Sequence, residues 1–259
     1  MGKKSSIQWT DATWNIAVGC SKVDEDCKYC YMYRQSLNSK RYDPRVVRKT
    51  KTVFDLPLKY KETKSSCWEG RPLIFTSSLT DVFHSAIDSF RNEMWDMIRK
   101  SPHLIFQILT KRPERIKDHL PADWGTGWDN VWLGTSIGSQ DSIHRAGELA
   151  GVAASVRFLS LEPFHGEIEI PFLYEGFAKP FDWVIVGGES GNDNGPYKYR
   201  PCKIDWITSI INSCEENKIP VFVKQLGTHL SKELKLKDRH GGDINEFPKY
   251  VQIRQFPKP

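Results

Sequence analysis

Short apolar, β-branched runs recur along the chain, most of them followed by a polar turn and a helical stretch. This rhythm restricts the fold more than any other feature of the sequence. The runs are P-L-I-F-T-S-S (72–78), H-L-I-F-Q-I-L-T (103–110), N-V-W-L-G-T-S-I (130–137), S-V-R-F-L-S-L (155–161), D-W-V-I-V-G-G (182–188) and I-P-V-F-V-K-Q (219–225). Between them, Ile87, Phe90, Met94, Met97 and Ile98 fall at helical spacing, which predicts a helix from Ile87 to Lys100. Ser139 to Ala150 and Lys203 to Asn217 also read as helices, and residues 31–41 as a helix opening. Strands that alternate with helices build a parallel sheet buried on both faces. The stretch Q-W-T-D-A-T-W-N-I-A-V-G (8–19) reads as one further, leading strand, for a total of about seven. The predicted class is therefore α/β, a partial (β/α) barrel of about six to seven parallel strands. A dinucleotide-binding sheet would carry G-x-G-x-x-G after its first strand. This chain carries cysteines there instead.

Those cysteines are Cys20, Cys27 and Cys30, half of the six in the chain, within the loop 19–32. Three thiols so close together can converge on one metal centre. A structural zinc site needs a fourth ligand, and His84 is the nearest histidine for a Cys₃His set. A cubane iron–sulfur cluster on three thiolates would leave one iron open for a reactive ligand. Cys27-x-x-Cys30 alone also fits a redox dithiol. Cys67, Cys202 and Cys214 read as small buried hydrophobes.

In a parallel (β/α) architecture, functional groups collect at the C-terminal ends of the strands. Here each strand end is polar. The second delivers Thr76, Ser77, Ser78 and Asp81, followed by His84, and the third Thr110, Lys111 and Arg112. The fourth gives Thr135 and Ser136, the fifth Ser160 and Glu162, the sixth Gly187 to Ser190 with Glu189, the seventh Lys224 and Gln225. Of Lys111 and Arg112, one is expected to point inward and the other outward. His84 reads as a hydrogen-bonded rim residue. Glu162 and Glu189 either meet a substrate amine or ribose, or pair with Lys111, Arg112 or Lys224; the two readings are compatible. G-G-E-S-G (187–191) is either an anion cradle or a tight turn.

The net charge of +5 permits a nucleic-acid partner without requiring one. Segment 34–64 is the basic stretch: Arg34, Lys40, Arg41, Arg45, Arg48, Lys49, Lys51, Lys59, Lys61 and Lys64 face Asp43, Asp55 and Glu62. It is either a solvated connection or a surface for phosphates. No apolar run is long enough to cross a membrane, and the cysteine usage fits a reducing cytoplasm. The expected organisation is a barrel over 1–230, including the loop 19–32 and the segment 34–64. A polar extension, 231–259, packs on it, with V-Q-I-R-Q-F (251–256) as a late strand or hairpin arm.

A three-cysteine loop after the first barrel strand, with Tyr29 just before the last cysteine, resembles the radical S-adenosylmethionine enzymes. Their usual spacing is C-x-x-x-C-x-x-C, whereas this chain has C-x₆-C-x-x-C, three residues longer. W-T-D-A-T-W-N (9–15), S-L-T-D-V-F-H (78–84), L-T-K-R-P-E-R (109–115), V-W-L-G-T-S (131–136), L-E-P (161–163), W-V-I-V-G-G-E-S-G (183–191) and F-V-K-Q-L-G (222–227) resemble a phage- and bacteria-associated radical-SAM-like family, distantly similar to spore photoproduct lyase. The resemblance implies that Cys20, Cys27 and Cys30 ligate a [4Fe–4S] cluster whose fourth iron chelates S-adenosylmethionine. It implies reductive cleavage to a 5′-deoxyadenosyl radical, with the electron from a flavodoxin- or ferredoxin-type donor. It implies that Ser77, Ser78 and Asp81 hold the methionyl amine, that Thr110 and Lys111 lie beside the cofactor with Lys111 on the carboxylate, and that Thr135, Ser136 and Glu162 meet the ribose. Glu189 and Lys224 are left for substrate or adenosine. Some phage members resemble thymidine-hypermodification isomerases, which implies DNA or a nucleotide as substrate and, for a phage protein, the host cytoplasm as location. A photoproduct-lyase-like repair enzyme is the alternative within the class. A zinc- or cluster-stabilised nucleic-acid-binding protein is the alternative outside it.

Overall fold

The computed structural model describes residues 5–39, 42–170 and 179–258. Its strands are β1 (Ala12–Thr13), β2 (Ala17–Val18), β3 (Arg48–Lys49), β4 (Leu73–Thr76), β5 (Ile105–Thr110), β6 (Val131–Ser136), β7 (Val156–Phe164), β8 (Trp183–Gly188) and β9 (Val221–Gln225). Its α-helices are α1 (Tyr31–Ser39), α2 (Arg91–Arg99), α3 (His144–Ala150), α4 (Ile204–Glu216) and α5 (Gly227–Glu233). Seven strands form one parallel sheet in the order β1-β4-β5-β6-β7-β8-β9, curled into a half-barrel with β1 and β9 at its free edges. The expected partial barrel is what the chain adopts.

Period-two alternation sorts each strand between two cores. Val184 and Val186 of β8 join Met94, Trp95 and Ile98 of α2 and Ile207, Ile210 and Ile211 of α4. Trp183 and Ile185 join Trp9, Leu73, Phe75, Ile105, Trp132, Phe158 and Phe222, with no helix residue among them. The second set therefore fills the concave interior. Burying each such side chain stabilises by roughly 1.5–3 kcal/mol.

Along the interior face of β6 to β9, polarity rises toward the C-terminal end. β6 runs Trp132, Gly134, Ser136; β7 runs Phe158, Ser160, Glu162; β8 runs Trp183, Ile185, Gly187; β9 runs Phe222, Lys224. The barrel is an aromatic plug at one end and a polar mouth at the other. Two glycines make room for larger neighbours. A Cβ at Gly134 would meet the Phe158 ring at 2.4 Å, and one at Gly187 would meet Glu162 Cγ at 2.7 Å.

Some expected elements are shorter or broken. The stretch 8–19 is not one strand: β1 stays in the barrel, while β2 leaves it to pair antiparallel with β3. Side chains replace the ladder at the break. Ser77 Oγ bridges Trp14 O and Ile16 N at 3.2 Å each, and Thr50 Oγ1 donates to Asn15 O at 2.8 Å. The helix expected over Ile87–Lys100 is split into a 3-10 turn, Ser85–Phe90, and α2. There the buried Arg91 guanidinium turns back to Val82 O and Asp88. Ser139–Ala150 likewise begins as a 3-10 turn, Gln140–Ser142, before α3.

The late strand expected over 251–256 reduces to one antiparallel bridge, Arg254 with Phe222. Its backbone still covers the β9 edge: Val223 N donates to Ile253 O at 2.8 Å and Gln255 N to Val221 O at 2.9 Å. Phe256 stacks on Trp183 with centroids 5.3 Å apart, and Trp68 Nε1 donates to Pro257 O at 2.9 Å. An edge strand that would otherwise offer free backbone groups is thus capped by the chain's own tail. Among the described residues, no helix is long and apolar enough to cross a membrane.

Candidate active site at the barrel mouth

The cysteine loop leaves β2 through Gly19, whose φ of +90° suits glycine, and a Cβ there would lie 2.3 Å from Val46 O. Cys20 N donates to Pro44 O at 2.9 Å, and Tyr33 OH donates to Cys20 O. The next residues form the 3-10 turn Glu25–Cys27, capped by Asp24, whose side chain accepts from Asp26 N. Cys30 then precedes α1. All three cysteines are free and half-buried. Burial and the neighbouring Asp81 push the Cys20 thiol up to about 11, against the lowering effect of Arg112. Burial also raises Cys30, against hydrogen bonds from the backbone of Met32 and Tyr33.

Arg112 crosses from the end of β5 to this loop. Its Nη1 lies 3.9 Å from Cys20 Sγ and 3.0 Å from Asp81 Oδ2, and its Nη2 donates to Ser21 O and Oγ at 2.9 Å each. Lys111 also turns into the mouth, donating to Ser136 Oγ at 2.7 Å. Both side chains therefore point inward, contrary to the inward–outward split expected from their adjacency. Asp81 draws Arg112 in, and the interior register of Ser136 draws Lys111. His84 is a rim residue: its Nε2 meets Ser21 Oγ at 2.9 Å, and its Nδ1 accepts from Ala86 N at 3.0 Å.

The candidate cofactor residues divide into two groups. Ser136, Glu162 and Lys111 converge with Lys224 in the mouth. Ser136 Oγ donates to Glu162 O at 2.5 Å, and Lys224 Nζ pairs with Glu162 Oε1 at 2.5 Å. The other group is turned to internal partners. Thr135 shares the helix-side face with Leu133, and its hydroxyl donates to Thr110 O at 3.0 Å. Thr110 shares that face with Ile108 and donates to Asp81 Oδ1 at 2.7 Å. Ser77 bridges the β1–β2 break, and Ser78 Oγ donates to Asn15 Oδ1 at 3.2 Å. Asp81 accepts from Thr110 Oγ1, Lys111 N, Arg112 Nη1 and Phe83 N. The polar groups of Ser77, Ser78, Asp81, Thr110 and Thr135 are thus engaged with partners inside the rim, whereas Ser136, Glu162, Lys111 and Lys224 engage one another across the mouth.

Glu189 accepts from Arg200 through Nη2 at 2.7 Å and Nε at 2.9 Å. Arg200 also donates to Glu25 O at 2.8 Å and lies over the Tyr29 ring at 5.6 Å. The turn 187–191 is a close backbone packing: a Cβ at Gly188 would meet Leu226 O at 2.1 Å, and Gly191 N donates to Thr228 Oγ1 at 3.1 Å. Cys202 and Cys214 are buried as expected, but Cys67 is half-buried, beside Ser65 Oγ at 3.5 Å. In the basic segment, Lys49 finds a partner outside it, Glu93 at 2.5 Å, while Lys40 and Arg41 lie outside the described residues.

The acidic run beside Cys27 carries partners that the linear sequence conceals. Asp26 is buried and accepts from His165 Nε2 at 2.8 Å, Arg145 Nη1 at 2.9 Å and Gly138 N at 3.0 Å. Arg145 also reaches Asp24 and donates to Ser136 O at 2.8 Å. Burial opposes the Asp26 charge, yet hydrogen bonds from His165 and Ser142 and the cations Lys111 and Arg145 hold its carboxyl well below the usual carboxylate range. Arg145, His165 and Arg200 were not singled out from the sequence. The signal available was V-D-E-D itself, three carboxylates in a row that require cations once any of them is buried.

Among the described residues, no three His, Cys, Asp or Glu side chains are arranged as ligands of one ion. Both ring nitrogens of His84 are engaged, which disfavours a Cys₃His zinc site. A cubane cluster makes a different demand: each thiolate sits at a different iron, so the sulfurs stand further apart than the ligands of a single ion. Three soft, free thiols on one capped loop fit that donor set.

Fold and site together define an α/β half-barrel protein with a thiol-bearing, charge-lined mouth. The chain belongs to the family described as "protein of unknown function (DUF5131)", whose family model matches residues 4–251. Among solved structures it is similar to a mutant spore photoproduct lyase with bound AdoMet and dinucleoside spore photoproduct, at 18% identity and a TM-score of 0.42, over 58% of this chain and 45% of that one. It is also similar to spore photoproduct lyase complexed with dinucleoside spore photoproduct, at 15% identity and a TM-score of 0.42, over 66% and 54%. The chain spans about half the length of these two structures. No curated protein matches it.

Proposed function

We propose that this chain is a radical S-adenosylmethionine enzyme. In this reading Cys20, Cys27 and Cys30 hold a [4Fe–4S] cluster, and an external flavodoxin- or ferredoxin-type protein donates the electron. The radical made from S-adenosylmethionine acts on a nucleic-acid-linked substrate, rearranging a modified thymine in DNA. The reaction is placed in the cytoplasm. The observation that carries the reading is the set of three free thiols on one capped loop at the C-terminal mouth of a parallel half-barrel. When bound, a cluster with an open iron supplies the electron that cleaves the sulfonium.

The residues around it divide the remaining work by charge. Asp81 pairs with Arg112, Glu162 with Lys224 and Glu189 with Arg200. Lys111 forms no ion pair among the described residues; its ammonium contacts Ser136 Oγ. It is the mouth cation left to take the methionyl carboxylate. Glu162, fixed by Lys224, is a carboxylate suited to ribose hydroxyls. Glu189 and Lys224 face the substrate side. For the substrate class, Arg34, Arg48, Lys51, Lys61 and Lys64 form no ion pair among the described residues, which leaves them for phosphates.

Anaerobic reconstitution tests this directly. The protein should turn brown, hold about four irons per chain, and release 5′-deoxyadenosine with dithionite and S-adenosylmethionine. Cys27→Ala should lose the cluster. Colourless protein with one tight zinc, or full turnover in Cys27→Ala, would refute the reading. DNA binding that does not weaken with salt would remove the substrate assignment.

A further inference from the structure

The residues Ser21–Asp26 fill the long spacing between the first two cysteines, and three arginines from three different elements of the rim grip them in turn. Arg112, after β5, donates to Ser21 O and Oγ at 2.9 Å each. Arg145, in α3, bonds Asp24 and Asp26. Arg200, after β8, donates to Glu25 O at 2.8 Å. Each guanidinium is itself held from outside the loop: Arg112 by the buried Asp81, Arg200 by the buried Glu189, and Arg145 by Ser136 O at 2.8 Å. His165, after β7, and Gly138 N, after β6, add to the hold on Asp26. A Cβ at Gly138 would sit 2.3 Å from Asp26 Oδ1, so glycine there admits the carboxylate. The loop thus tracks the ends of four consecutive strands and is bound at each.

We propose that Arg112, Arg145 and Arg200 are positioning residues that fold the Ser21–Asp26 loop without metal, so that Cys20 and Cys27 are set in place before any cluster arrives. Arginine suits this task because its planar fork binds carbonyls and carboxylates at several points at once. A loop that only metal could order would have its carboxylates in solvent and its backbone unpaired. Here Asp24 and Glu25 lie at the surface, but Asp26 is 5% exposed and its partner Arg145 1%, and the backbone carbonyls of Ser21 and Glu25 accept from Arg112 and Arg200. The inference concerns the site of the proposed activity and rests on that reading for its purpose, but not for its test.

Lys22 and Lys28 are exposed within the loop, which makes trypsin a direct probe of its order. Iron-free protein is digested, and cleavage after Lys22 and Lys28 is timed against cleavage after the exposed Lys61. Wild-type protein is expected to be cut more slowly within the loop than at Lys61. Arg145→Gln, Arg112→Gln and Arg200→Gln should each speed loop cleavage about tenfold or more, the change in local opening that follows loss of a charge-assisted hydrogen bond. Arg145 is buried and its variant is the one at risk of not folding; Arg200→Gln and Asp24→Asn carry the test in that case. In reconstituted protein, Arg200→Gln should keep its iron but alter the electron paramagnetic resonance signature of the reduced centre, and Arg200→Lys should restore it. Iron-free wild type cut as fast at Lys22 and Lys28 as at Lys61 would overturn the proposal, as would unaltered cleavage in the variants. Wild type that binds no iron would instead sink the enzymatic reading while leaving the proteolysis result standing.

Discussion

Asp81 separates two views of the mouth, and its replacement by asparagine is a quantitative test. As a ligand-binding carboxylate it would be spare in the free protein, and Asp81→Asn would cost little stability. The structure gives it four donors: Thr110 Oγ1 at 2.7 Å, Phe83 N at 2.9 Å, and Lys111 N and Arg112 Nη1 at 3.0 Å each. Thr110 and Phe83 share Oδ1, while Lys111 and Arg112 share Oδ2. An amide can keep its oxygen toward only one of these pairs. Its NH₂ then faces the other, leaving two donors unsatisfied at about 1–3 kcal/mol each. If the lost pair includes Arg112, the cost approaches the 3–5 kcal/mol typical of breaking a buried ion pair. The expected destabilisation of Asp81→Asn is therefore about 3–4 kcal/mol. Urea unfolding of the iron-free protein measures it as a shift in midpoint at constant slope. The double variant Asp81→Asn/Arg112→Met should recover part of the loss, because the uncompensated guanidinium is removed. A loss below about 1 kcal/mol in the single variant would refute the positioning role.

Three further outcomes are expected from the same geometry. Gly138→Ala places a Cβ 2.3 Å from Asp26 Oδ1 and 2.7 Å from His165 Nε2, and should cost about 1–3 kcal/mol in urea unfolding as the anchor is pushed apart. Phe256→Ala removes the ring stacked on Trp183 and should lower stability by about 2–3 kcal/mol, with a change in tryptophan fluorescence as Trp183 gains solvent. Asp238 is buried in part, which opposes its charge, but the backbone N–H groups of His240 and Gly242 hold its carboxyl below the ordinary value. Its folded-state pKa is thus the lower one, so its contribution is present above about pH 4 and is lost as pH falls further. Asp238→Asn should flatten that part of the acid limb in unfolding measurements.

The half-barrel was legible because its signal is local. Runs such as W-V-I-V-G-G carry both faces of a buried strand in consecutive letters, and β8 is found within one residue of the expected span. The rim positions were legible for the same reason: they follow the runs directly. Alternation also dictates direction. Thr110 and Thr135 lie on the face of Ile108 and Leu133, toward the helix-side core, while Ser136, the last residue of β6, lies on the mouth side. The broken first strand was hidden because its cause lies elsewhere. Ser77 and Thr50 satisfy the backbone of Trp14 to Ile16 across 61 and 35 residues of sequence. A run of β-formers reports propensity, and propensity yields where distant side chains take the ladder's place.

The cysteine loop shows the same limit in its sharpest form, and also why the spacing matters. Three extra residues between Cys20 and Cys27 would ordinarily loosen a thiolate site, since a longer loop has more conformations to lose on binding. The stretch between them includes Asp24 and Asp26, whose partners Arg145 and His165 lie 119 to 139 residues away. No local pattern could connect them. Yet a carboxylate one residue from a metal-binding thiol is a poor neighbour unless its charge is already spent, because it repels the thiolates beside it. Arg145 pairs with Asp26 from outside the loop, and His165 Nε2 meets its other oxygen at 2.8 Å, so the insertion gains an anchor and the Asp26 charge faces these partners. Length and charge in this loop are therefore coupled. An insertion of the same length without the acidic residues would lack these anchors, and the acidic residues without Arg145 would leave unpaired negative charge beside Cys27.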